Sequence, residues 1–427
     1  MSLSISQLQR FFSKHTKFDK FYVAYSGGLD STVLLHMMHA AKLPIQAVHV
    51  NHHLQNDCDH WQLLCEKFCS SFSIPLIVQH AQITKQAQSS LEELARHARY
   101  ALLEEMLEEK SAIVTAHHQD DLAETVLLQL LRGAGPAGLA AMPECKKLST
   151  GIHLRPLLAY SRDDLLEYAR DQNLQWVDDP SNQCNDFDRN YLRNEVMPIL
   201  LKRWSSAQQT LSRSAALQAD TLKCLQELAE IDIHAAKTDE FCKLKVSPLQ
   251  ELNHERLNNA LRFWITSNNM RVPSKKILKQ IVTDIVLKKD IETSPLQSWK
   301  EGEVRRFRNH LYLMRPLAAH DASQIIRWKI DQPLFIESLG RTLLPEELKN
   351  AGVAIPDGVN ELTIRFREGG ERLKPFGSNQ HRSLKNLLHE AEIPPWERSR
   401  IPLLYHHDQL ISVLDFWNTR HDCETQS

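Results

Sequence analysis

The chain has 427 residues, of which 42% are hydrophobic and 24% are charged, and its formal net charge is −2. This length allows two or three domains with ordinary cores, and the composition excludes a disordered chain. No apolar run approaches the length of a membrane span, and the N-terminus lacks a basic segment followed by an apolar one. We therefore expect a cytoplasmic protein without a membrane partner. Its 8 scattered cysteines favour a reduced protein with neither a disulfide framework nor a zinc knuckle.

The first part of the chain alternates between predicted strands and helices. Short apolar runs predict strands at 21–25, 45–50, 76–78 and 112–116. Amphipathic runs predict helices at about 4–15, 59–72 and 89–109. This alternation is typical of a parallel sheet with helices on both faces. Because ligands bind such sheets at the carboxyl ends of the strands, we expect the loops after residues 25, 50 and 116 to form the site.

A glycine-rich turn separates the first strand from the next helix, and it reads Ser26-Gly27-Gly28-Leu29-Asp30-Ser31. Adjacent glycines allow positive φ and close approach of a ligand, while the first amides of a helix attract anions. A carboxylate beside a phosphate is repulsive unless a divalent cation lies between them, so Asp30 indicates Mg²⁺. A capped turn without a ligand remains the alternative for these residues taken alone.

The fourth strand continues into His117-His118-Gln119-Asp120-Asp121-Leu122-Ala123-Glu124. If a helix begins near Asp120, Asp121 and Glu124 share one face of it at the ligand-binding edge of the sheet. We expect this carboxylate pair to act on a substrate. Acidic residues that only cap the helix are the alternative, and a metal site built on the histidines lacks an identified third ligand.

The character of the chain changes after about residue 204. A long helix is predicted over 205–234, and residues 315–355 are expected to be a linker with some strand content. Between them, basic residues lie around Phe307, a pattern typical of nucleic-acid-binding surfaces. A solvated helix face explains the same pattern equally well.

The glycine-rich turn resembles the SGGxDS signature of the PP-loop ATP pyrophosphatases, which cleave ATP to AMP and pyrophosphate. Further segments over about the first 200 residues narrow this resemblance to the tRNA(Ile)-lysidine synthetases: HVNHH, LEELARHARY, HHQDDLAET, RGAGPAGL, RPLL, DDPSN and RNYLR. The resemblance implies a doubly wound parallel α/β sheet, then a mainly helical middle domain and a small α+β C-terminal domain. The implied bounds are 1–204 for the nucleotide-binding catalytic domain, 205–330 for the tRNA-binding middle domain and 355–427 for the C-terminal tRNA-binding domain.

The resemblance also implies a reaction. Such a ligase joins L-lysine to C2 of the wobble cytidine, position 34, of the isoleucine tRNA with a CAU anticodon, which changes codon reading from AUG to AUA. The cytidine oxygen attacks the α-phosphate of ATP, pyrophosphate leaves, and the lysine side-chain amine then displaces AMP. ATP, lysine and this tRNA are the expected partners, Mg²⁺ is the expected cofactor, and the sequence leaves a homodimer open.

Each step of this reaction needs particular side chains. We expect the residues from Ser26 to Ser31 to bind ATP, with Asp30 as the Mg²⁺ ligand. The lysine amine has a solution pKa of roughly 10.4 and must lose a proton, so Asp121 and Glu124 are predicted to bind and deprotonate it.

Arginines are the candidate partners of the anions. Arg96 or Arg99 is the candidate for the lysine carboxylate, and Arg189 and Arg193, four residues apart, are candidates for phosphate. Ordinary surface ion pairs are the alternative for all of them. By resemblance to the C-terminal module of the family, the tRNA-binding candidates are Arg365, Arg367, Arg372, Lys385 and Trp396.

Competing functions remain. A tRNA thiolase acting on an anticodon base would activate the base in the same way, but its sulfur chemistry usually needs a cysteine pair, whereas Cys58 and Cys184 stand alone. A guanylate synthetase would need a glutaminase-like Cys/His domain. A non-catalytic tRNA-binding protein is the alternative outside enzymes, and the intact Ser26, Asp30 and Ser31 argue against it.

Overall fold

The computed structural model describes residues 3–53, 57–81, 91–148, 150–178, 184–289, 294–350, 353, 355, 358–375 and 380–418, with the backbone alone for 91–93, 349 and 350. The chain divides into two compact units, 1–225 and 226–427. Each unit is described by itself below.

The first unit alternates strands and helices, as expected. Its strands are β1 (Lys20–Ala24), β2 (Ile45–Asn51), β3 (Leu76–His80), β4 (Ser111–Val114), β5 (Cys145–Lys147) and β6 (Ile152–Leu154). Its helices are α1 (Ile5–Phe12), α2 (Leu29–Ala40), α3 (Cys58–Ser71), α4 (Leu91–Glu105), α5 (Gln119–Leu131), α6 (Pro136–Leu139), α7 (Arg162–Asp171), α8 (Asp188–Tyr191) and α9 (Met197–Arg203). A π-helical turn, Leu192–Val196, joins α8 to α9, and α10 (Ala207–Ala236) begins in the first unit and ends in the second.

These strands form a 6-stranded sheet in the order β3-β2-β1-β4-β6-β5. All neighbouring pairs are parallel except β5 with β6, so an antiparallel edge strand, which the sequence did not indicate, completes the sheet. Because β2 and β4 flank β1, the chain changes direction across the sheet between β1 and β4. The loops after these two strands therefore border the crevice where α/β proteins bind ligands.

Alternate residues of β1 explain why helices cover both faces of the sheet. Phe21 and Val23 face the cluster that contains Leu34 of α2, whereas Tyr22 faces the opposite cluster with Leu103 of α4. Each of these side chains is at most 3% exposed. Burial on two sides fixes the register of the strand and hence the start of the loop that follows it.

The second unit combines helices with antiparallel sheets. Its helices are α11 (Val246–Gln250), α12 (His254–Ser267), α13 (Lys275–Gln280), α14 (Pro345–Asn350), α15 (Leu384–Glu390) and α16 (Pro395–Arg398). Its first strands form a 4-stranded sheet: β7 (Lys243–Lys245), β8 (Leu296–Ser298), β9 (Glu303–Phe307) and β10 (His310–Met314). The later strands are β11 (Ile326–Lys329), β12 (Leu334–Ile336), β13 (Arg341–Leu343), β14 (Glu361–Arg365), β15 (Arg372–Leu373), β16 (Arg382–Ser383), β17 (Leu403–His406), β18 (Gln409–Val413) and β19 (Trp417–Asn418).

A 5-stranded sheet, ordered β11-β14-β17-β18-β19, organises the C-terminal part. Strand β11 lies in the segment that the sequence indicated as a linker, yet it pairs with β14 and places Trp328 opposite Leu362. Part of the expected linker therefore belongs to the C-terminal sheet. The expected architecture, a PP-loop sheet followed by a helical middle and an α+β end, is confirmed. None of the described helices is both long and apolar enough to cross a membrane.

Candidate active site

The loop between β1 and α2 turns tightly at its glycines. Gly27 has φ +84°, and a Cβ on it would lie 2.8 Å from the sulfur of buried Cys65, so only glycine fits here. The Ser31 hydroxyl donates to the Gly28 carbonyl at 3.0 Å and lies 3.1 Å from the Ser26 hydroxyl. No side chain caps the first amides of α2 at Gly28. These amides and the helix dipole are therefore suited to a phosphate group.

Asp30 lies in the first turn of α2. Its Oδ2 is 3.5 Å from the His118 Nε2, while its Oδ1 is buried and has no hydrogen-bond partner among the described residues. A buried carboxylate oxygen without a donor is unfavourable unless a cation meets it. A carboxylate beside a phosphate cradle is the usual setting for Mg²⁺, so this residue fits that ion.

His118 connects the loop to the helix that follows β4. Its Nε2 lies 3.5 Å from Asp30 Oδ2 and 3.5 Å from Asp121 Oδ2, and the side chain is buried. Burial alone would lower the pKa of His118, but the carboxylates of Asp121, Asp120 and Asp30 outweigh it and raise the pKa to about 10. The Asp120 amide also lies 3.2 Å from Nδ1, and it can donate there only to the neutral ring. When the His118 ring loses its proton, it therefore loses its ion pairs with the carboxylates and gains the hydrogen bond from the Asp120 amide, which caps α5.

Asp121 and Glu124 of α5 form a four-charge cluster with Arg189 and Arg193, which we call the quartet. Asp121 Oδ1 accepts from Arg189 Nη2 at 2.8 Å and from Arg193 Nη2 at 3.0 Å. Glu124 accepts from Arg189 Nε at 2.9 Å, from Arg193 Nε at 2.6 Å and from Arg193 Nη2 at 3.0 Å. The two carboxylates share one helix face, as the sequence predicts, and the two arginines meet both of them.

Neighbouring charges set the protonation state of Asp121. Burial alone would raise the pKa of Asp121, but His118 and then Arg189, with a weaker effect of Arg193, hold it well below its usual range. Asp121 is therefore a carboxylate at every pH at which the fold is expected to work. Such a group binds a cation well but is a weak proton acceptor.

A buried chain of hydrogen bonds supports the end of β4. Arg155 can only donate, and its Nη2 bonds His153 Nδ1 at 3.0 Å. The His153 Nε2–H then donates to the Thr115 hydroxyl at 2.8 Å, and this hydroxyl donates to His117 Nδ1 at 2.7 Å. Burial, assisted by Arg155, lowers the pKa of His153 to about 3, and burial also keeps the pKa of His117 far below its ordinary value. His117 is therefore a neutral ring with its hydrogen on Nε2.

Arg96 and Arg99 lie on α4, close to Tyr100. Their guanidinium carbons lie 5.4 Å and 5.9 Å from the centroid of the Tyr100 ring. Arg99 contributes to the lowered pKa of His52, after the larger effect of burial, whereas Arg96 contributes weakly to that of His153. Arg99 thus acts near the end of β2 and Arg96 near β6, and both stay predicted partners of the lysine carboxylate.

The tRNA-binding candidates in the C-terminal part differ in the exposure of their charged groups. Arg365 donates to the carboxylate of Asp408 at 3.0 Å, and Arg367 lies 3.8 Å from the carboxylate of Glu371. Arg372 and Lys385 are exposed. These two are better placed to meet an external phosphate than Arg365 and Arg367.

Trp396 is only 8% exposed and joins the middle and C-terminal parts of the second unit. Its ring lies 5.2 Å from that of Tyr312, edge to face, and 5.2 Å from the guanidinium of Arg305. Arg308 pairs with Glu392 in the same region. Of the basic residues around Phe307, Arg305 and Arg306 pack against the protein itself, whereas Lys300 and Arg308 are exposed.

Comparison with known proteins identifies the family. A model of the PP-loop domain matches residues 2–200, one of the TilS substrate binding domain matches 244–312, and one of the TilS substrate C-terminal domain matches 362–427. The tRNA(Ile)-lysidine synthase of Coxiella burnetii is 40% identical over 414 residues, which cover 96% of this chain and 92% of the relative. The chain belongs to the tRNA(Ile)-lysidine synthase family.

Other members of the tRNA(Ile)-lysidine synthase family are similar over nearly the same length. That of Proteus mirabilis is 35% identical over 422 residues, covering 97% of this chain and 94% of the relative. A solved structure, the U34-tRNA thiolase NcsA from Methanococcus maripaludis, is 17% identical and covers 50% of this chain and 77% of its own, with a TM-score of 0.43. This last likeness is too low to support an argument about function.

The sequence predicts most of the residues that meet at this site, but not the contacts between them. It predicted that the residues after β1 and β4 lie together, and the structure places them so. It missed the bridging position of His118 and the supporting chain through His153 and Arg155. Arg155 belongs to the RPLL motif and directly follows a buried strand, which was the available signal. Most of the DDPSN motif, residues 179–182, lies outside the described residues.

Proposed function

We propose that the quartet is where this enzyme binds and deprotonates its lysine substrate. As a member of its family, the chain is an ATP-dependent, lysidine-forming ligase. One observation carries the proposal: His118 Nε2 lies 3.5 Å from both Asp30 and Asp121, so the ATP loop and the carboxylate pair form one continuous site.

The first step activates the base. The loop from Ser26 to Ser31 binds the phosphates of ATP through backbone amides. Asp30 would hold Mg²⁺, and this ion would supply positive charge to neutralise the pyrophosphate. The C2 oxygen of the wobble cytidine in the CAU anticodon attacks the α-phosphate. A bond forms from this oxygen to phosphorus, the bond to the pyrophosphate oxygen breaks, and the cytidine is left as an adenylate.

The second step transfers lysine. Its side chain arrives as an ammonium ion, and Asp121 suits the binding of this cation because His118, which remains beside it, keeps the pKa of Asp121 low. We assign the acceptance of the proton to Glu124, the other buried carboxylate. The free amine then attacks C2, the bond from C2 to the adenylate oxygen breaks, and AMP leaves.

The arginines of the quartet must release the carboxylates before lysine can bind. Arg189 and Arg193 occupy both carboxylates, so an incoming ammonium needs the guanidiniums to move to another anion. The phosphates of ATP are the nearest anions that the reaction supplies. The proposal therefore requires ATP to bind before lysine, with Arg96 or Arg99 meeting the lysine carboxylate.

The second unit is proposed to bind the tRNA. Exposed Arg372 and Lys385 are the leading phosphate contacts, with Arg365 and Arg367 in support, and Trp396 holds the module in place by packing. We also propose the domain bounds 1–204, 205–330 and 355–427. The proposed location is the cytoplasm, where a tRNA substrate is available. One chain suffices for the chemistry, and sedimentation would test a homodimer.

A direct test offers the enzyme two nucleophiles. Wild-type protein, ATP, Mg²⁺ and the CAU tRNA are mixed with either radiolabelled lysine or a sulfide donor, and pyrophosphate and labelled tRNA are followed. We expect label only from lysine, and only with an anticodon that begins with cytidine. Transfer of sulfur would indicate the thiolase alternative, and a lack of pyrophosphate release would indicate a non-catalytic tRNA-binding protein.

A further inference from the structure

A second cluster of ligating side chains lies at the carboxyl ends of β2 and β3. We infer that His53, Cys58 and Asp59 bind a borderline-soft transition metal ion such as Zn²⁺, with one coordination position left open. None of these residues is used for ATP, lysine or tRNA in the proposed function, and the inference does not depend on it.

The three candidate ligand atoms already lie close to one another. Cys58 Sγ is 4.0 Å from His53 Nδ1 and 3.7 Å from Asp59 Oδ1, and His53 Nδ1 is 3.9 Å from the same oxygen. In a tetrahedral zinc site, with metal–ligand bonds of about 2.0–2.3 Å, neighbouring ligand atoms are about 3.4–3.6 Å apart. The three atoms therefore need to approach one another by about half an ångström or less.

Neighbouring residues orient this cluster. His53 Nε2 lies 2.8 Å from His80 Nδ1. If His53 donates this hydrogen bond, its hydrogen is on Nε2 and its Nδ1 presents a lone pair to the metal. A ring nitrogen that donates to an outer partner in this way is the usual arrangement of a metal-binding histidine.

Asn51 fixes the other side of the cluster. Its side chain, on a residue 2% exposed, donates to Asp59 Oδ1 at 3.2 Å and accepts from the His53 backbone amide at 3.0 Å. One buried amide thus positions two of the three ligands. The strand ends hold the arrangement before any ion binds, which reduces the entropy lost on binding.

The set of donor atoms selects the kind of ion. A thiolate and an imidazole favour Zn²⁺ and similar ions over Mg²⁺, which prefers oxygen ligands. Binding displaces the thiol proton of Cys58 to solvent. This chemistry separates the cluster from the Asp30 site, where the described donors are oxygen atoms.

Cobalt(II) is the probe for the test, because a thiolate bound to it gives a charge-transfer absorption band. Full-length protein without an affinity tag is titrated with Co²⁺, and we expect about one equivalent to produce this band. Cys58→Ser should abolish it. Cys145→Ser, at a free cysteine outside the cluster, is the matched control and should leave the band intact.

His80→Gln tests the outer partner. It should keep the band and weaken Co²⁺ binding by about 10–100-fold, the range for partners that orient a ligand. Pyrophosphate release with Mg²⁺ and tRNA should be normal in both Cys58→Ser and His80→Gln, which shows that they are folded and separates this inference from the proposed function. A wild-type protein without the band, or a band that persists in Cys58→Ser, would overturn the inference.

Discussion

Replacing Glu124 by glutamine removes one charge from the quartet while nearly preserving its shape. The Glu124 side chain is 2% exposed, and its oxygens accept from the guanidiniums of Arg189 and Arg193 at 2.6–3.0 Å. Removing one partner of a buried ion pair costs about 3–5 kcal/mol. Because Asp121 still pairs with both arginines, we expect the lower end, about 3 kcal/mol in the free energy of unfolding.

The two steps of the reaction should respond differently to this variant. Base activation uses the glycine-rich loop and Asp30, so pyrophosphate release should continue. Lysine transfer should fall by about 10²–10⁴-fold, the range for loss of a general base. Single-turnover reactions that follow pyrophosphate and labelled lysine in the same sample measure both steps, and urea titration measures the stability.

A matched control and two contrary outcomes make this test decisive. Asp188→Asn neutralises an exposed carboxylate 3.8 Å from Arg132, outside the quartet, and should leave both steps unchanged. Lysine transfer at the wild-type rate in Glu124→Gln would remove Glu124 from the mechanism. Equal loss of pyrophosphate release and lysine transfer would assign Glu124 to the fold or to ATP instead.

Other variants test the remaining parts of the molecule. Asp30→Asn should slow pyrophosphate release by about 10²–10³-fold, the scale for loss of a charge-stabilising group, and filter binding should show unchanged tRNA affinity. Gly27→Ala should abolish pyrophosphate release, and adding Cys65→Ala should restore it only in part, because the space returns but the φ of +84° stays unfavourable. Since the pKa of His153 is about 3 in the fold and 6.5 ordinarily, its contribution to stability is complete above pH 6.5 and is lost as the pH falls toward 3. For this group the free energy of unfolding should fall by up to roughly 1.4 kcal/mol per pH unit, and the slope should be smaller by that share in His153→Gln. Lys385→Ala should weaken tRNA binding and lower its salt dependence by about one phosphate contact, with ATP binding unchanged; an unchanged salt dependence would exclude that contact.

The sheet of the first unit could be predicted because its signals are local. Strand β1 is marked by its own apolar run, and the start of α5 by the acidic residues that follow His118. Topology then places both loops at one edge of the sheet. These steps need no knowledge of how distant side chains pair.

The partners of the arginines could not be predicted in the same way. Arg189 and Asp121 are 68 positions apart, and a guanidinium binds a carboxylate as readily as a phosphate. The spacing of Arg189 and Arg193 therefore predicted a shared face but not what that face meets.

The basic segment near Phe307 shows that charge alone does not identify which residues face solvent. Arg306 is 8% exposed and donates to the backbone carbonyls of Ile285, Val286 and Lys288. In the sequence, such an arginine is indistinguishable from one that faces solvent. Burial, which depends on the whole fold, decides between the two.

The pairing of two acids with two arginines also sets a condition on which amines can enter. Once ATP has drawn the guanidiniums away, a plain diamine could still place an ammonium on the carboxylates, but it would bring no anion for Arg96 or Arg99. Free lysine carries an α-carboxylate beside its α-ammonium, so its net charge is one unit less positive than that of a diamine and it offers one of those arginines a partner. Electrostatics at the site would therefore favour lysine over polyamines, which are otherwise chemically competent nucleophiles.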